Sequence, residues 1–174
     1  MVNMRILAVM LVLSLSESAF AAQGFIERDG SRMEVVDTFA VLDKADGKLS
    51  IYLLPSKVTD AEKTKIMSAG LYSSLGHKVS PDPTKWSWYP YARLVFSNNN
   101  SRFASRNDLG RYFLMAYGIK KKNSTQSLNG NIKFDSNVVL DQYEFNGKRV
   151  RIQFRGKDDS LKIHWLLDIT SELQ

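Results

Sequence analysis

The chain has 174 residues, 44% of them hydrophobic, with no cysteine and a formal net charge of +6. The lack of cysteine excludes disulfide-stapled domains, lipid-modified cysteine anchors and cysteine-bound zinc. A chain of this length and composition can build one hydrophobic core, so we expect a single domain.

The N-terminal residues have the pattern of a secretory signal peptide. A basic residue, Arg5, precedes the apolar run Ile6–Leu15, and Ala19 and Ala21 are the small residues that signal peptidase recognises. The apolar run has ten residues, whereas a membrane-spanning helix needs about 20. We therefore expect cleavage after Ala21, a periplasmic or secreted location, and a mature chain without a transmembrane segment.

Removal of residues 1–21 would leave residues 22–174, which we expect to form one β-rich domain. Its first clear signal is a hairpin, because two apolar runs flank Asp43–Lys48, where Asp and Gly favour a reversing turn. Alternation places Val35, Phe39 and Val41 on one face of the first run, and Leu49, Ile51 and Leu53 on one face of the second.

One α-helix is predicted near residues 60–69. Thr59 or Asp60 suits the N-cap, acidic residues occupy the first turn, lysines follow, and Gly70 is a stop signal. The helix separates the first hairpin from an aromatic stretch.

The aromatic stretch KWSWYPYARLVF, residues 85–96, reads as a strand that begins near Trp86. Alternation puts Trp86, Trp88, Pro90, Ala92, Leu94 and Phe96 on one face, and Ser87, Tyr89, Tyr91, Arg93 and Val95 on the other. Because proline cannot donate a ladder hydrogen bond, Pro90 favours an edge strand or a bulge. Burial in the core is the favoured interpretation. The alternative is an exposed aromatic platform that includes Trp86, Trp88, Tyr89 and Tyr91.

Residues 108–119 fit either one face of a helix or a buried strand, and Gly110 with the aromatic content favours the strand. Farther along, Asn146-Gly147 is the strongest short hairpin marker, because both residues accept a positive φ. The apolar residues that share one face after it are Val150, Ile152 and Phe154, followed by Leu161, Ile163, Trp165, Leu167 and Ile169. Residues 142–169 therefore read as a three-stranded antiparallel meander.

Strands joined by turn-rich loops, with one helix, predict a mainly β fold. The expected architecture is an antiparallel β-sandwich or a partly open barrel with one α-helix near residues 60–69.

The positive charge is concentrated in residues 102–134. This segment has one acidic residue, Asp108, and its basic residues are Arg102, Arg106, Arg111, Lys120, Lys121, Lys122 and Lys133. The rest of the mature chain has equal numbers of basic and acidic residues. We expect one basic surface around residues 102–122, which the arginines of the 148–155 strand extend. It would attract an anionic envelope component or an acidic protein surface; the alternative is a solvated surface that serves solubility.

The sequence carries no motif for nucleic-acid recognition and none for catalysis. The two histidines, His77 and His164, lack partners at metal-ligand spacing, and His164 is expected on a solvated sheet face. Neither a G-x-S-x-G elbow nor a glycine-rich phosphate loop is present. We expect no metal and no cofactor.

The preferred hypothesis is an exported, non-catalytic binding module of the bacterial envelope, one version of which is an inhibitor or immunity protein. The binding residues would be Arg102, Arg106, Arg111, Lys120, Lys121 and Lys122, with Tyr89 and Tyr91 nearby. One alternative is a carbohydrate- or lipid-binding module that uses Trp86, Trp88 and Tyr91. Another is a hydrolase with carboxylates from distant strands, which the sequence does not locate.

Overall fold

The structure is a computed structural model that describes residues 22–68, 91–98, 102–109, 112–124, 127–133 and 138–174. This part of the chain forms two antiparallel five-stranded sheets and one α-helix, so the predicted mainly β, sandwich-like class is confirmed. The two sheets do not close into a barrel. Some predictions concern residues that lie outside the described ranges, namely the signal peptide (1–21), Gly70, His77, Trp86, Trp88, Tyr89, Pro90 and Arg111.

Ten strands follow one another along the described chain. They are β1 (Gln23–Arg28), β2 (Ser31–Glu34), β3 (Asp37–Asp43), β4 (Lys48–Leu54), β5 (Tyr91–Ser97), β6 (Tyr112–Lys120), β7 (Ser127–Lys133), β8 (Val138–Phe145), β9 (Arg149–Asp158) and β10 (Ile163–Glu172). Helix α1 (Asp60–Ser68) lies between β4 and β5, and a 3-10 turn at Arg106–Leu109 precedes β6. Sheet A has the order β2-β1-β10-β9-β8, and sheet B has the order β3-β4-β5-β6-β7.

The main core lies between the two sheets. Sheet A contributes large buried side chains such as Ile152 and Trp165, and sheet B contributes others such as Ile51 and Leu94. Ala22, directly before β1, packs into this same core and is 9% exposed. Among the described residues, no helix has the length and apolar character that crossing a membrane requires.

The predicted C-terminal meander is confirmed as β8, β9 and β10. The Asn146 Oδ1 accepts hydrogen bonds from the backbone N–H groups of Lys148 and Arg149, and Gly147 has a φ of 85°. The residues predicted to face inward on β9 and β10 are buried. The strand β9 continues to Asp158, and a turn over residues 159–162 joins it to β10.

The predicted first hairpin is confirmed as β3 and β4. The Asp43 Oδ1 accepts the N–H groups of Ala45 and Asp46 in its turn. Leu49, Ile51 and Leu53 face the main core as predicted.

One face prediction in this hairpin is wrong. Val35 packs in the main core, whereas Phe39 and Val41 face the opposite side of sheet B, with Tyr52 and Ile66. The reason is that the chain passes from one sheet to the other just before β3. The Val35 N–H donates to Gly24 in β1, and the next N–H donates to Leu54 in β4, so strand alternation does not run through Val35.

The predicted helix is confirmed, and Thr59 is its N-cap. The Thr59 Oγ1 accepts the N–H of Glu62 at 3.3 Å, and the Glu62 carboxylate accepts the N–H of Thr59 at 2.9 Å. This reciprocal pair is a capping box. Ile66 then packs on Phe39, Tyr52 and Leu54, so the helix covers part of the outer face of sheet B.

The strand predicted within residues 108–119 is confirmed as β6. In the aromatic stretch, the predicted burial in the core is correct for Ala92, Leu94 and Phe96. The expected edge position is wrong for the described strand, because β5 lies between β4 and β6. The ladder of β5 begins at Tyr91, after Pro90, so the proline removes no hydrogen bond from the described pairing.

The two sheets also meet at a corner between β3 and the end of β10. The Thr38 hydroxyl donates to the carbonyl of Thr170 at 3.1 Å, and the Gln174 N–H donates to the carbonyl of Ala40 at 2.9 Å. A parallel bridge joins Ala40 to Leu173. These hydrogen bonds connect the two sheets at the corner, in addition to the shared core.

Candidate functional site

Three consecutive exposed lysines mark the end of β6. Lys120 closes the strand, and Lys121 and Lys122 enter the connection to β7; we call Lys120–Lys122 the lysine turn. Asn123 follows with a φ of 57°, a conformation that Asn adopts more readily than most residues. The turn therefore projects its charges from the end of sheet B.

The backbone of the lysine turn is attached to sheet A. The Lys122 N–H donates to the hydroxyl of Ser31 at 2.9 Å, and Ser31, the first residue of β2, is 2% exposed. The Ser124 N–H donates to the carbonyl of Lys121 at 3.2 Å. These bonds fix the path of the chain while the lysine side chains remain in solvent.

The lysine turn carries a local excess of positive charge. Across the described ranges, none of its three lysines forms an ion pair within 4.0 Å. Lys162 adds a fourth cation near the Ser31 anchor, because it lies 3.9 Å from Asp29, two residues before Ser31. The Lys162–Asp29 pair therefore lies at the same hairpin as Ser31, to which the lysine turn is bonded.

The structure separates Arg102 and Arg106 from the lysine turn. Both arginines precede β6, whereas the lysine turn begins at its last residue, and a strand of nine residues spans about 27 Å. Arg102 and Arg106 therefore lie at the opposite end of β6 from the lysine turn. Their role in binding stays a prediction, but it now applies to two separate places.

We call the region around Arg102, Arg106 and Arg155 the arginine end. Its positive charge is partly balanced by two acidic residues. Hydrogen bonds from Ser105, with the charge of Arg102, hold the pKa of Asp108 below its usual value. A hydrogen bond from Arg155, whose Nε lies 2.8 Å from the carboxylate, does the same for Asp141, and the charge of Arg106 adds to it. Arg155 of β9 therefore lies in this group, which has little net charge among the described residues.

Tyr91 is the member of the predicted aromatic platform that the structure describes. It is half-buried and packs against the smaller cluster formed by Phe39, Tyr52, Leu54 and Ile66. Next to it, the guanidinium of Arg93 lies 5.4 Å from the ring of Tyr52 and donates to the hydroxyl of Ser50 at 2.8 Å. Tyr91 therefore belongs to a packed face and not to an open platform beside an edge.

The described residues provide no constellation for metal binding, since no three His, Asp or Glu side chains come together there. His164 is half-exposed on the outer face of sheet A, as predicted, at 3.8 Å from Glu27 and edge-on to Phe25. Such an exposed pair is commonly a surface ion pair and does not by itself indicate catalysis.

Two contributors to these surfaces escaped the sequence analysis. Ser31 anchors the lysine turn from 91 residues away, and no local pattern indicates such a contact. Leu166 stands exposed among polar side chains on the outer face of sheet A. Its signal was present, because alternation through Trp165 and Leu167 turns Leu166 outward.

No family model matches this chain, and neither the curated proteins nor the solved structures contain a significant match to it. Its function must therefore be argued from its own residues.

Proposed function

We propose that the protein is an exported, non-catalytic binding module of the bacterial envelope that binds an anionic partner through the lysine turn. The partner class is an anionic envelope component or an acidic protein surface. An inhibitor or immunity protein that covers an acidic site on its target is one form of this function, since such a role requires a stable fold and no reactive groups.

The observation that carries the proposal is the unpaired charge of an anchored turn. Three adjacent exposed lysines have no acidic partner within 4.0 Å among the described residues, while the backbone between them is held by Ser31 and by a local hydrogen bond. A turn that is already ordered loses less entropy on binding than a free loop does. The arginine end lacks this property, because Asp108 and Asp141 accompany its arginines.

The partner's anionic character also follows from the chemistry of lysine. An ammonium group is a compact point charge that binds phosphate and carboxylate without demanding a planar, two-point geometry. A row of lysines therefore suits a partner with repeated or mobile anionic groups. Binding of this kind is strong at low salt and weakens as salt screens the charges.

The test is a charge reversal of Lys121→Glu with Lys122→Glu. Near an anionic surface each lysine contributes about 1 kcal/mol, so the double variant should lose at least about tenfold in affinity. The probes are lipopolysaccharide and immobilised heparin, with affinity and salt elution measured for the unsubstituted protein and the variant.

The matched control is Lys57→Glu with Lys148→Glu, which makes the same change in net charge at two exposed lysines elsewhere. It should bind the two probes far better than the lysine-turn variant does. Equal losses in both variants would show that only total charge matters, and the proposed site would be wrong.

A further inference from the structure

The strand β7 forms one edge of sheet B. All seven of its residues pair with β6 in one antiparallel register that runs without a shift from Ser127 to Lys133. Within the described ranges, no strand pairs with its other side. In an edge strand, the N–H and C=O groups of every second residue point away from the neighbouring strand and can pair with a further one. The strand is therefore a continuous template for backbone hydrogen bonds.

The other three sheet edges are covered, interrupted or short. At β3, Leu173 forms a bridge with Ala40, and the Gln174 N–H donates to the Ala40 carbonyl at 2.9 Å. The ladder of β8 has an irregularity between Leu140 and Gln142, and β2 has only four residues. Covering segments, bulges and short strands are the usual means by which proteins keep edges from pairing with other chains. Of the edges that the structure describes, β7 is the one without such a feature.

The sequence of β7 is symmetric about Gly130. Residues 128–132 read LNGNI, so an apolar residue, an asparagine and a glycine follow one another from either end. The single charged residue of the strand, Lys133, stands at one end, and Ser127 stands at the other. A strand of this kind can pair with its own copy so that each residue of LNGNI is opposite one of the same chemical class.

Antiparallel pairing of two copies about Gly130 brings all seven residues of each strand into register. Asparagine both donates and accepts hydrogen bonds, so asparagine opposite asparagine leaves no mismatch. No two like charges are directly opposite each other, an arrangement that would destabilise a strand pair. The opposed pairs on each side of the axis are Leu128 with Ile132, Asn129 with Asn131 and Ser127 with Lys133.

Gly130 gives independent support for a further strand. Glycine within a strand weakens the strand, and it commonly marks a bulge or a place where another backbone approaches closely. Gly130 pairs with Tyr117 inside the uninterrupted register of β6 and β7, so no bulge is present there. Close approach of another backbone then accounts for the glycine, and at the edge of sheet B that backbone would belong to a strand beside β7.

We propose that β7 pairs antiparallel with β7 of a second copy of this chain, with a two-fold axis at Gly130. The two sheets B then form one continuous sheet, and the closed symmetry limits the assembly to a dimer. The symmetric sequence of β7 is what favours a second copy over an unrelated strand. This proposal does not rest on the proposed function, because backbone hydrogen bonds make the contact and no anion is needed. Salt should therefore leave it nearly unchanged, whereas salt weakens binding at the lysine turn.

The first test follows amide hydrogen exchange of the unsubstituted protein at increasing protein concentration. A pairing through one strand buries less area than a standard interface, so we expect a dissociation constant in the micromolar range. Exchange of the β7 amides should slow as the protein is concentrated through that range, in step with the dimer fraction from analytical ultracentrifugation. The edge strands β2 and β8 are internal controls, and their exchange should stay constant.

The second test changes the charges that meet across the axis. The variant Asn129→Asp with Asn131→Asp opposes like charges at two pairs, so the dimer dissociation constant should rise about tenfold. The variant Asn129→Lys with Asn131→Lys should behave in the same way. An equimolar mixture of the two variants should dimerise at least as well as the unsubstituted protein, because opposite charges then meet at each pair. Each variant alone is the matched control for the mixture.

Three results would overturn the proposal. They are an unsubstituted protein that stays monomeric into the millimolar range, a dimer in which exchange of β7 does not slow, and a mixture that dimerises no better than either variant alone. Circular dichroism of both variants should match that of the unsubstituted protein. If it does not, the concentration dependence of β7 exchange in the unsubstituted protein decides.

Discussion

The hydroxyl of Tyr143 ties the loop before β6 to sheet A. It donates to the carbonyl of Phe103 at 2.6 Å, and the ring of Tyr143 lies 6.4 Å from that of Phe96. Burial raises the pKa of Tyr143, and the charge of Asp108 raises it further. The folded state therefore favours the neutral phenol. Its contribution to stability is complete below about pH 10, the pKa in an unfolded chain, and is lost as the pH rises beyond that value.

A Tyr143→Phe variant should lose about 1 kcal/mol of unfolding free energy at neutral pH, because the buried hydrogen bond disappears. Above about pH 10 its stability should decline less than that of the unsubstituted protein, since one fewer phenol must be kept neutral. Burial also raises the pKa of Tyr52, so part of the alkaline decline should remain. Urea unfolding at neutral and alkaline pH measures both effects. An identical alkaline decline in the two proteins would contradict this account.

Helix α1 shows how a short element depends on its first turn. It has nine residues, and helices of that length are marginal in water without packing or caps. The capping box of Thr59 and Glu62 satisfies N–H groups at its start, while Ile66 attaches it to sheet B.

The variant Thr59→Ala should lower the free energy of unfolding by about 1 kcal/mol, because the cap is removed. The matched control is Thr64→Ala within the helix, where alanine has the higher helix propensity and the change should be neutral or slightly stabilising. Thermal unfolding followed by circular dichroism compares the two. If Thr64→Ala destabilised the protein as much as Thr59→Ala does, loss of the N-cap would not explain the effect.

The elements that the sequence predicted are those with local signals. Asn146-Gly147 marked its hairpin, and the cap residues marked the helix. The strands β1 and β7 carried no such signal. Ile26 alone is fully buried in β1, which is paired with β10 from the far end of the chain. In β7, Asn129-Gly130 has turn-forming composition and yet lies within a strand paired to β6.

The shared core should make the molecule unfold as one unit. Buried residues of sheets A and B pack in the same cluster, and the corner at β3 and β10 links the sheets further.

The distribution of positive charge over the molecule depends on the fold as well as on the sequence. The sequence located the excess in residues 102–134, but it could not show that β6 separates the arginines from the lysines, because that distance arises from the fold.

The variant Leu94→Ala in sheet B should lower the free energy of unfolding by about 2–5 kcal/mol, which is the usual range for a buried leucine. Because the core is shared, amide hydrogen exchange should accelerate in β9 and β10 of sheet A as well as in β5. Mass spectrometry of peptides from both sheets measures this. Unchanged protection of β10 would show that the sheets open separately.

The burial of Ala22 in the core would determine whether a leader that ends at Ala21 is removed before or after folding. Ala22 lies next to β1, and β1 is held between β2 and β10, so the peptide bond before Ala22 adjoins packed structure without a spacer. A protease needs an accessible, extended segment. If the leader is cut after Ala21, the cut must come while the chain is still unfolded, and a copy that folded early would keep its leader.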